Sequence, residues 1–514
     1  MINRLEIRVP VEIASNKKKL TSFIASKINI EIKNIFHIDI IKRSIDARSK
    51  KIKINLVIDI YINEHYQEKE IKILYNDVSS KQEVIIIGSG PAGLFAALKY
   101  LEKGNKKPII FERGKSVKNR RRDLAKLTKE HIVNLDSNYC FGEGGAGTYS
   151  DGKLYTRVKN KKEIKNILHT LVMHGADRDI LVNTHPHIGT NKLPKIIEKI
   201  RETIIRYGGE IHFNNKLTDI IINNNRIQAI EINNKDLIKT TNVILATGHS
   251  ARDIFYLLNK KQIKIEAKPF AVGIRIEHSQ KLIDQIQYKC KTRKKELPPS
   301  EYALSTQVNN RGVYSFCMCP GGIIAPCATD KEEVVTNGWS PSKRNYPTAN
   351  SGIVVQVNLE DLNKFKQYGS LAGVEFQKEI ERKAWIAAGK TQKVPAQRLI
   401  DFIEKKLSKN IPKTSYIPGI TSVIISEIFP DFIFNTLKEG LKIFDKKMKG
   451  FYTNDAIVHA PETRTSSPVR IPRNKDTLEH IEIKGLYPCG EGAGFAGGIV
   501  SAAIDGQKCA DAIS

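Results

Sequence analysis

The sequence predicts an α/β protein with α+β parts: a Rossmann-like domain, an inserted mixed-sheet domain and a small N-terminal α+β module. Three observations predict this architecture. A strand, a glycine-rich turn, a helix and a second strand follow one another from about residue 83, and glycine-rich segments return near the C-terminus. Between them, short alternating strands mix with helical stretches and proline-rich loops. We therefore predict the module at 1–80, the first part of the Rossmann-like domain at 81–255, the insertion at 256–455 and the second part at 456–514.

The N-terminal module has a β-α-β-β pattern. "LEIRVPVEI" alternates as a strand does, "NKKKLTSFIASKI" has helical spacing, and "FHIDIIKRSIDARSKKIKINLVIDIYI" fits two strands joined by a polar turn. The module is basic, but it lacks the glycine-aromatic pattern of RNA-binding sheets. We therefore favour a docking or stabilising role over a nucleic-acid-binding one.

Composition limits the classes of partner and the compartment. The 514 residues carry a formal charge of +28, but the lysines are scattered among many isoleucines and asparagines. This pattern favours a solvated surface under compositional bias over a nucleic-acid partner. The N-terminus has no apolar export core, and the longest apolar stretch is too short to span a bilayer. Seven irregularly spaced cysteines favour reduced thiols, so we expect a cytoplasmic protein without a membrane span.

The segment "GSGPAG" places Gly88, Gly90 and Gly93 in a G-x-G-x-x-G frame. An apolar strand precedes the turn and an apolar helix follows it. The first glycine permits the tight turn, the second lets a pyrophosphate approach the backbone, and the third lets helix and strand pack closely. The helix N-terminus then offers unpaired N–H groups to the anion. This arrangement predicts a dinucleotide site.

Glu112 ends the next strand, "PIIFE", 19 residues after Gly93. This is close to the spacing expected of the acid that binds ribose hydroxyls. Lys107 and Arg113 flank the strand, but an acid at its tip would repel a 2′-phosphate. We therefore expect Glu112 to hold a ribose that carries no 2′-phosphate.

Three further glycine-rich segments favour FAD as the dinucleotide. They are "FGEGGAGTYSDGKL" at 141–154, the strand end in "NVILATGHSARDIF" and the strand, loop and helix of "LYPCGEGAGFAGG". A long, flat cofactor needs several surfaces formed by backbone, and the last helix would point its positive end at the flavin. The predicted cofactor contacts are Gly88, Gly90, Pro91, Ala92, Gly93, Glu112, Arg113, Gly144, Gly145, Gly147, Thr148, Ala246, Thr247, Gly248, Gly490, Glu491, Gly497, Gly498 and Ile499.

With these motifs the chain resembles a bacterial family of uncharacterised FAD-dependent dehydrogenases, within the two-domain NAD(P)/FAD-dependent oxidoreductase superfamily. The resemblance covers nearly the whole chain. It also depends on "KRSIDARSKK", "SFCMCPGG", "NSGIVVQV" and "ETRTSSPVRI". It implies bound FAD, with Glu112 on the adenosine ribose and Glu491 on the ribitol chain, where Asp is the commoner residue. It implies no particular substrate, because these folds host many chemistries.

We find no second strand-G-x-G-x-x-G-helix unit in the sequence. The separate NAD(P) domain of disulfide reductases is therefore not expected. Either NAD(P)H docks transiently over the flavin, or another electron donor is used; the redox partner stays open.

Cys317 and Cys319 in "SFCMCPGG" admit four interpretations. Their C-x-C spacing is poor for zinc, even if Cys327 and Cys290 converged on them, so we predict no metal. A redox dithiol is more often C-x-x-C, and a single thiol facing a substrate needs an open, electropositive niche. We favour a tight Pro-Gly-Gly turn whose two thiols pack as small hydrophobes, and we keep both cysteines as catalytic candidates.

The segment "VHAPETRTSSPVRIPR" is the best candidate for gripping a small, anionic substrate. Arginine forks bind carboxylates or phosphates at two points, so Arg464 and Arg470 are catalytic candidates. The alternative is a surface loop whose arginines pair with acids. Further polar residues of this loop-like stretch, and weaker candidates elsewhere, are His459, Glu462, Ser466, Ser467, Arg473, Arg344, Asn350, His249 and His278.

The sequence favours an oxidoreductase that passes hydride or electrons through FAD to or from an unidentified small substrate. Two alternatives stay open. One is a nucleic-acid-associated flavoprotein acting on RNA through the basic N-terminal module, and the other is a flavin-binding protein without turnover.

Overall fold

A three-stranded antiparallel sheet with two helices begins the chain. The structure is a computed structural model that describes residues 2–68 and 70–513. The sheet has the order β1-β3-β2, and alternate residues of its central strand are buried, which confirms the predicted β-α-β-β module. Its elements are β1 (Ile2–Pro10), α1 (Val11–Ala14), α2 (Lys17–Ile28), β2 (Ile35–Asp46) and β3 (Lys53–Ile62).

The Rossmann-like part follows, as the glycine pattern predicts. Its first strand is apolar on both faces, as expected for a parallel strand that is covered on both sides. Four of its strands lie side by side and parallel, and β7, β8 and β9 form a separate antiparallel sheet. The elements are β4 (Glu83–Ile87), α3 (Pro91–Lys103), β5 (Lys107–Glu112), α4 (Val117–Glu130), α5 (Lys161–Met173), α6 (Leu193–Arg206), β6 (Glu210–Phe213), β7 (Leu217–Asn223), β8 (Arg226–Ile232), β9 (Asp236–Lys239), β10 (Val243–Leu245) and α7 (Arg252–Lys260).

A seven-stranded mixed sheet dominates the middle of the chain, with the order β13-β14-β17-β12-β20-β18-β19. Only the β18–β19 pair of this sheet is parallel. The elements are β11 (Glu266–Ala267), β12 (Phe270–Ser279), α8 (Gln280–Tyr288), β13 (Ser305–Val308), β14 (Arg311–Cys319), β15 (Ile323–Pro326), β16 (Thr336–Trp339), β17 (Thr348–Val357), α9 (Ala372–Ala387), β18 (Val394–Arg398), α10 (Leu399–Glu404), β19 (Ile420–Ser422), α11 (Asp431–Lys447), β20 (Ile457–Glu462) and β21 (Val469–Arg470).

The C-terminal segment returns to the parallel sheet. Strand β22 (Leu486–Pro488) pairs with β10 and gives the five-stranded order β22-β10-β4-β5-β6. Helix α12 (Ile499–Ala512) packs against α3 so closely that a Cβ on Gly506 would lie 2.0 Å from the carbonyl oxygen of Ala92. Among the described residues, no helix combines the length and apolar character needed to cross a membrane.

The sheets change at positions that differ from the bounds inferred from the sequence. Strand β20 belongs to the seven-stranded sheet although it lies beyond residue 455, because "IVHAPE" is buried and pairs with β12 and β18. In the other direction, Ile263 and Ile265 pack with the core beneath the parallel sheet although they lie beyond residue 255. The division of the chain into domains stays a prediction, and the strands of the mixed sheet run from residue 270 to residue 462.

Replacing Gly506 by alanine tests the contact between α3 and α12. The added methyl group meets backbone rather than a movable side chain, so we expect a loss of about 1–3 kcal/mol in the free energy of unfolding. Lys508→Ala, on the exposed side of the same helix, is the control and should change it by less than about 0.5 kcal/mol. Urea unfolding measures both, and a Gly506→Ala protein as stable as the control would contradict the packing.

Candidate cofactor and active site

The glycine turn after β4 has the shape that a dinucleotide turn requires. Gly88 has a φ of 102°, and a Cβ there would lie 2.5 Å from the carbonyl oxygen of Ala246. A Cβ on Gly93 would lie 1.9 Å from the carbonyl oxygen of Gly88, so only glycine lets the helix pack onto the turn. Helix α3 starts after Gly90 without a side-chain cap, which leaves its first N–H groups free for an anion.

The carboxylate of Glu112 joins three segments of the chain. One oxygen accepts hydrogen bonds from the backbone N–H and the hydroxyl of Ser89, at 2.8 and 2.9 Å. The other accepts from the backbone N–H groups of Gly114 and Gly142, at 2.9 and 3.0 Å. Glu112 is buried and lines the pocket, so it orders the turn in addition to its predicted contact with a ribose.

Arg113 is held by two acids rather than left free. Its guanidinium donates to Asp136 at 2.7 Å and to Asp253 at 2.8 Å, and it lies over the ring of Phe141. Burial alone would lower its pKa, but the two carboxylates raise the pKa above its ordinary value. The side chain therefore fixes one end of the pocket and is charge-compensated there.

A loop at 138–148, called the glycine loop below, packs on the glycine turn. A Cβ on Gly145 would lie 3.1 Å from Cα of Gly90. The fully buried Arg120 holds the loop from behind, donating to the carbonyl oxygens of Asn138, Tyr139, Glu143 and Gly145 at 2.7–3.0 Å. Sequence reasoning missed Arg120, because it is one of three consecutive arginines in "VKNRRRDL" and nothing in the sequence distinguishes it from its two exposed neighbours.

The glycines near the C-terminus leave room for a flat ligand. A Cβ on Gly248, Gly497 or Gly498 would meet nothing within 4 Å, so these positions face open space. Helix α12 starts at this surface, with Gly498 preceding it and no side-chain cap. An uncapped helix start beside bare backbone fits the anionic edge of a reduced flavin, so the residues present fit FAD.

These surfaces enclose one cavity of about 430 Å³. Three predicted contacts lie behind its lining: Gly93 packs on Gly88, and Gly144 and Thr148 form the inner side of the glycine loop. The other predicted contacts line the cavity: Gly88, Gly90, Pro91, Ala92, Glu112, Arg113, Gly145, Gly147, Ala246, Thr247, Gly248, Gly490, Glu491, Gly497, Gly498 and Ile499. Their contacts with a cofactor stay a prediction.

The middle segment supplies another wall of the cavity. Phe316, Cys317 and Cys319 come from β14 of the mixed sheet, and Asn337 and Gly338 come from β16 of a separate two-stranded sheet. Strand β14 runs beyond Cys317. It continues to Cys319 through an irregularity in its pairing with β17, and Cys317 has a φ of 43° there. The bulge turns the Cys317 side chain toward the cavity, as bulges beside active sites do.

The two candidate thiols differ in environment. Cys319 is buried and Cys317 is exposed at the cavity surface. Desolvation nevertheless raises the pKa of both thiols, to about 11 for Cys319 and about 12 for Cys317, so both are protonated at neutral pH. Among the described residues, the group of potential metal ligands within 4.8 Å of one another is instead Cys489, Asp505 and Cys509. There the Asp505 carboxylate already pairs with Arg473 at 2.6 Å, so its charge is compensated without a metal.

The predicted arginine grip is not assembled in the structure. Arg464 lines the cavity, but its guanidinium pairs with Glu333 and Glu381, and these two acids also hold Arg252. Arg470 is exposed outside the cavity, with its guanidinium over the ring of Phe495. Arg464 and Arg473 thus pair with acids, as in the alternative interpretation of this stretch. About half of residues 458–473 belong to strands rather than to a loop.

The weaker candidates are mostly structural. The buried guanidinium of Arg344 pairs with Asp151 at 2.6 Å, and Asn350 accepts from the buried Arg275 at 2.7 Å. His278 is buried against the Phe451 carbonyl, and burial lowers its pKa to about 4.

His249 is different, because it lines the cavity 3.6 Å from Glu491. Burial alone would lower its pKa, but the Glu491 carboxylate holds the pKa above its ordinary value. The protonated imidazole of His249 is therefore stabilised next to Glu491, the acid that the family resemblance assigns to the ribitol chain.

His459 and Glu462 lie in β20 and are buried. His459 shares a hydrogen bond with the hydroxyl of Thr414 at 2.8 Å, and Glu462 pairs with the fully buried Arg275 at 2.8 Å. Both residues therefore stabilise the mixed sheet and do not present their polar atoms to a substrate.

Two known protein families match segments of this chain. A family described as "FAD-dependent protein, C-terminal domain-like" matches residues 269–465, and a domain of unknown function matches residues 1–61. The first match spans the mixed sheet, including β20. By this match, the middle segment is similar to the C-terminal domain of FAD-dependent proteins.

A protein of Clostridium beijerinckii, named "Uncharacterized protein", is 40% identical over 532 residues, which is 100% of this chain and 98% of that protein. The chain belongs to the same family. Two solved structures are similar at low overall agreement. One is CtdE in complex with FAD (TM-score 0.34, 12% identity, 84% of each chain), and the other is glycine oxidase from Bacillus cereus (TM-score 0.30, 14% identity, 84% of this chain and 94% of that one).

Glu112→Ala should reduce the flavin that purifies with the protein. The change removes the predicted ribose contact and four internal hydrogen bonds, so we expect at least about a tenfold weaker retention. Glu83→Ala, at the exposed start of β4, is the matched control. Flavin absorbance per chain after gel filtration measures both, and equal flavin content in the two variants would contradict the role of Glu112.

The Pro-Gly-Gly turn should matter more than the thiols. Gly322 has no room for a side chain. A Cβ there would lie 2.4 Å from the carbonyl oxygen of Trp339 and from the hydroxyl of Ser340. Gly322→Val should therefore lower the melting temperature by several degrees, on the order of a 1–3 kcal/mol overpacking cost. The Cys317→Ser/Cys319→Ser protein should keep its flavin and bind no zinc. Loss of flavin in that double variant, or stoichiometric zinc in the native protein, would contradict this interpretation.

Proposed function

We propose that the protein is an FAD-dependent dehydrogenase that transfers hydride or electrons between bound FAD and a small substrate. The observation that carries the proposal is the shared cavity: the glycine turn, Glu112 and the start of α12 line it from one side, and the bulge of β14 lines it from the other. When bound there, FAD supplies the redox chemistry. The chain supplies binding, orientation and exclusion of water.

The charged and polar groups that line the cavity match the parts of FAD that they would face. The free N–H groups at the start of α3 suit the pyrophosphate, and Glu112 suits the adenosine ribose. At the far end, the start of α12 suits the electron-rich edge of the flavin, and His249 with Glu491 lies between the two ends. Each group is placed by backbone or by buried partners, so the site is ordered before a ligand arrives.

The substrate is proposed to approach between the glycine loop and the bulge of β14. Lys153 lines the cavity there and donates to the carbonyl oxygen of Met318 in the wall. Asp151 also lines it, but its charge is compensated by Arg344. The Lys153 ammonium in the lining supports a small, anionic substrate, in place of the arginine grip inferred from the sequence.

The electron donor is proposed to be NAD(P)H docking transiently, or a different donor. Support for transient docking is topological: among the described residues, one parallel sheet carries a glycine turn followed by a helix, and that turn faces the cavity already assigned to FAD. A resident nicotinamide nucleotide would need a second turn of this kind.

The proposal predicts that the purified protein is yellow and releases FAD, not FMN, on denaturation. FAD is expected because the turn and Glu112 suit the adenosine half that FMN lacks. Chromatography of the released flavin identifies it, and recovery of FMN, or of NAD alone, would contradict the proposal.

Turnover is tested by anaerobic reduction of the same preparation with NADH and with NADPH, followed by a series of small oxidants. Bleaching of the flavin absorbance by one nucleotide, and its return with one oxidant, is the expected result. Bound FAD that no donor reduces would favour a flavin-binding protein without turnover. Salt-dependent RNA binding that accompanies the flavin would favour the RNA-acting alternative.

A further inference from the structure

Two cysteines that the sequence did not pair lie together at the cavity wall. Cys140, in the glycine loop, lines the cavity, and its Sγ lies 3.8 Å from the carbonyl oxygen of Cys327. The sulfur of Cys140 therefore lies against the backbone of Cys327. Cys327 is buried and follows β15, which pairs with β16 in a separate two-stranded sheet of the middle segment. The pair therefore joins the glycine loop of the Rossmann-like part to the middle segment of the chain.

The backbone on both sides of the pair is fixed. The Asn138 side chain accepts from the backbone N–H of Cys140 at 2.9 Å, and Arg120 holds the carbonyl oxygens of Asn138 and Tyr139. On the other side, the backbone N–H of Cys327 donates to the carbonyl oxygen of Val335 at 2.7 Å. The Cys140 sulfur thus meets Cys327 across two fixed backbones, and such closeness is the first requirement for a disulfide.

The surroundings make the two thiols unequal. The hydrogen bond from Cys327, the positive charge of Arg464, a hydrogen bond from Ser250 and the positive charge of His249 together lower the pKa of Cys140, against the effect of burial. The same hydrogen bond and burial raise the pKa of Cys327. The Cys140 thiol is thus the more acidic of the two and lines the cavity, and Cys327 is the less acidic partner behind it.

We propose that Cys140 and Cys327 form a reversible dithiol–disulfide couple that reacts with low-molecular-weight disulfides entering the cavity. The inference rests on the proposed function in one respect, because the cavity it opens into is the one proposed to hold FAD. It assigns a role to two cysteines other than the C-x-C pair, and it names disulfides as a class of redox partner.

The reaction balances in two steps. The thiolate of Cys140 attacks one sulfur of a disulfide R–S–S–R, forming a mixed disulfide and releasing one thiolate RS⁻. Cys327 then loses its proton and attacks the sulfur of Cys140, which forms the Cys140–Cys327 disulfide and releases the second RS⁻. The two released thiolates take up two protons, so the external disulfide gains two electrons and the cysteine pair loses two.

The first experiment equilibrates the full-length flavin-containing protein in mixtures of oxidised and reduced dithiothreitol without oxygen. Samples are quenched in acid, denatured and alkylated, and the peptides are mapped by mass spectrometry. We expect a peptide joining Cys140 to Cys327 that grows with the oxidised fraction along one two-electron curve. Cys290→Ser, at a half-buried thiol outside the cavity, should leave the curve unchanged, whereas Cys327→Ser should abolish it. Absence of the joined peptide in the most oxidising mixture would overturn the proposal.

The second experiment identifies the attacking thiol. With glutathione disulfide, Cys327→Ser should trap a mixed disulfide on Cys140, and Cys140→Ser should form at least about tenfold less on Cys327. Equal labelling of the two variants would overturn the assignment.

Flavin content is measured on the same samples, which keeps the two proposals apart. A joined peptide in a protein that binds no FAD would refute the proposed function and leave the cysteine couple standing. In a flavin-containing protein, anaerobic dithionite titration should consume about two more electron equivalents in the oxidised wild type than in Cys327→Ser. An equal count would contradict the couple.

Discussion

The carboxylate of Glu112 is the interaction on which the site depends. It binds the glycine turn through Ser89, the end of β5 through Gly114, and the glycine loop through Gly142. A buried carboxylate is costly unless its oxygens are hydrogen-bonded, so the three backbone segments and the acid hold one another in place. Together with the hydrogen bond from the Gly144 N–H to the Ser89 carbonyl oxygen, this junction fixes the distance between the two glycine-rich surfaces that face the cavity.

A second buried network joins the two halves of the protein. Arg252 at the start of α7 and Arg464 after β20 share Glu381, a fully buried acid on α9, and both also contact Glu333. Removing one member would leave a buried charge without its partner, which typically costs about 3–5 kcal/mol. The network lies beside the cavity, so it fixes the position of the mixed sheet relative to the Rossmann-like sheet.

Features that depend on residues close together in the chain could be predicted from the sequence. Gly88, Gly90 and Gly93 predict the turn because each has a steric reason that acts within a few residues, and Glu112 follows from its spacing. Residues that act through long-range partners could not be found in this way. Arg120 resembles the exposed arginines beside it, and nothing near Cys140 in the sequence indicates that Cys327 lies next to it. The arginine-rich stretch before the C-terminus misled for the same reason, because the acids that neutralise Arg464 lie on distant elements.

The central claim is that FAD occupies the cavity between the glycine turn and the bulge of β14, so that both halves of the protein contact it. Hydrogen–deuterium exchange of the flavin-free protein, before and after FAD is added back, tests this claim most directly. The account predicts slower exchange at the glycine turn, the glycine loop, the start of α12 and residues 316–319. Slower exchange at the turn alone, with residues 316–319 unchanged, would contradict the claim that the mixed sheet forms the wall of the cofactor site.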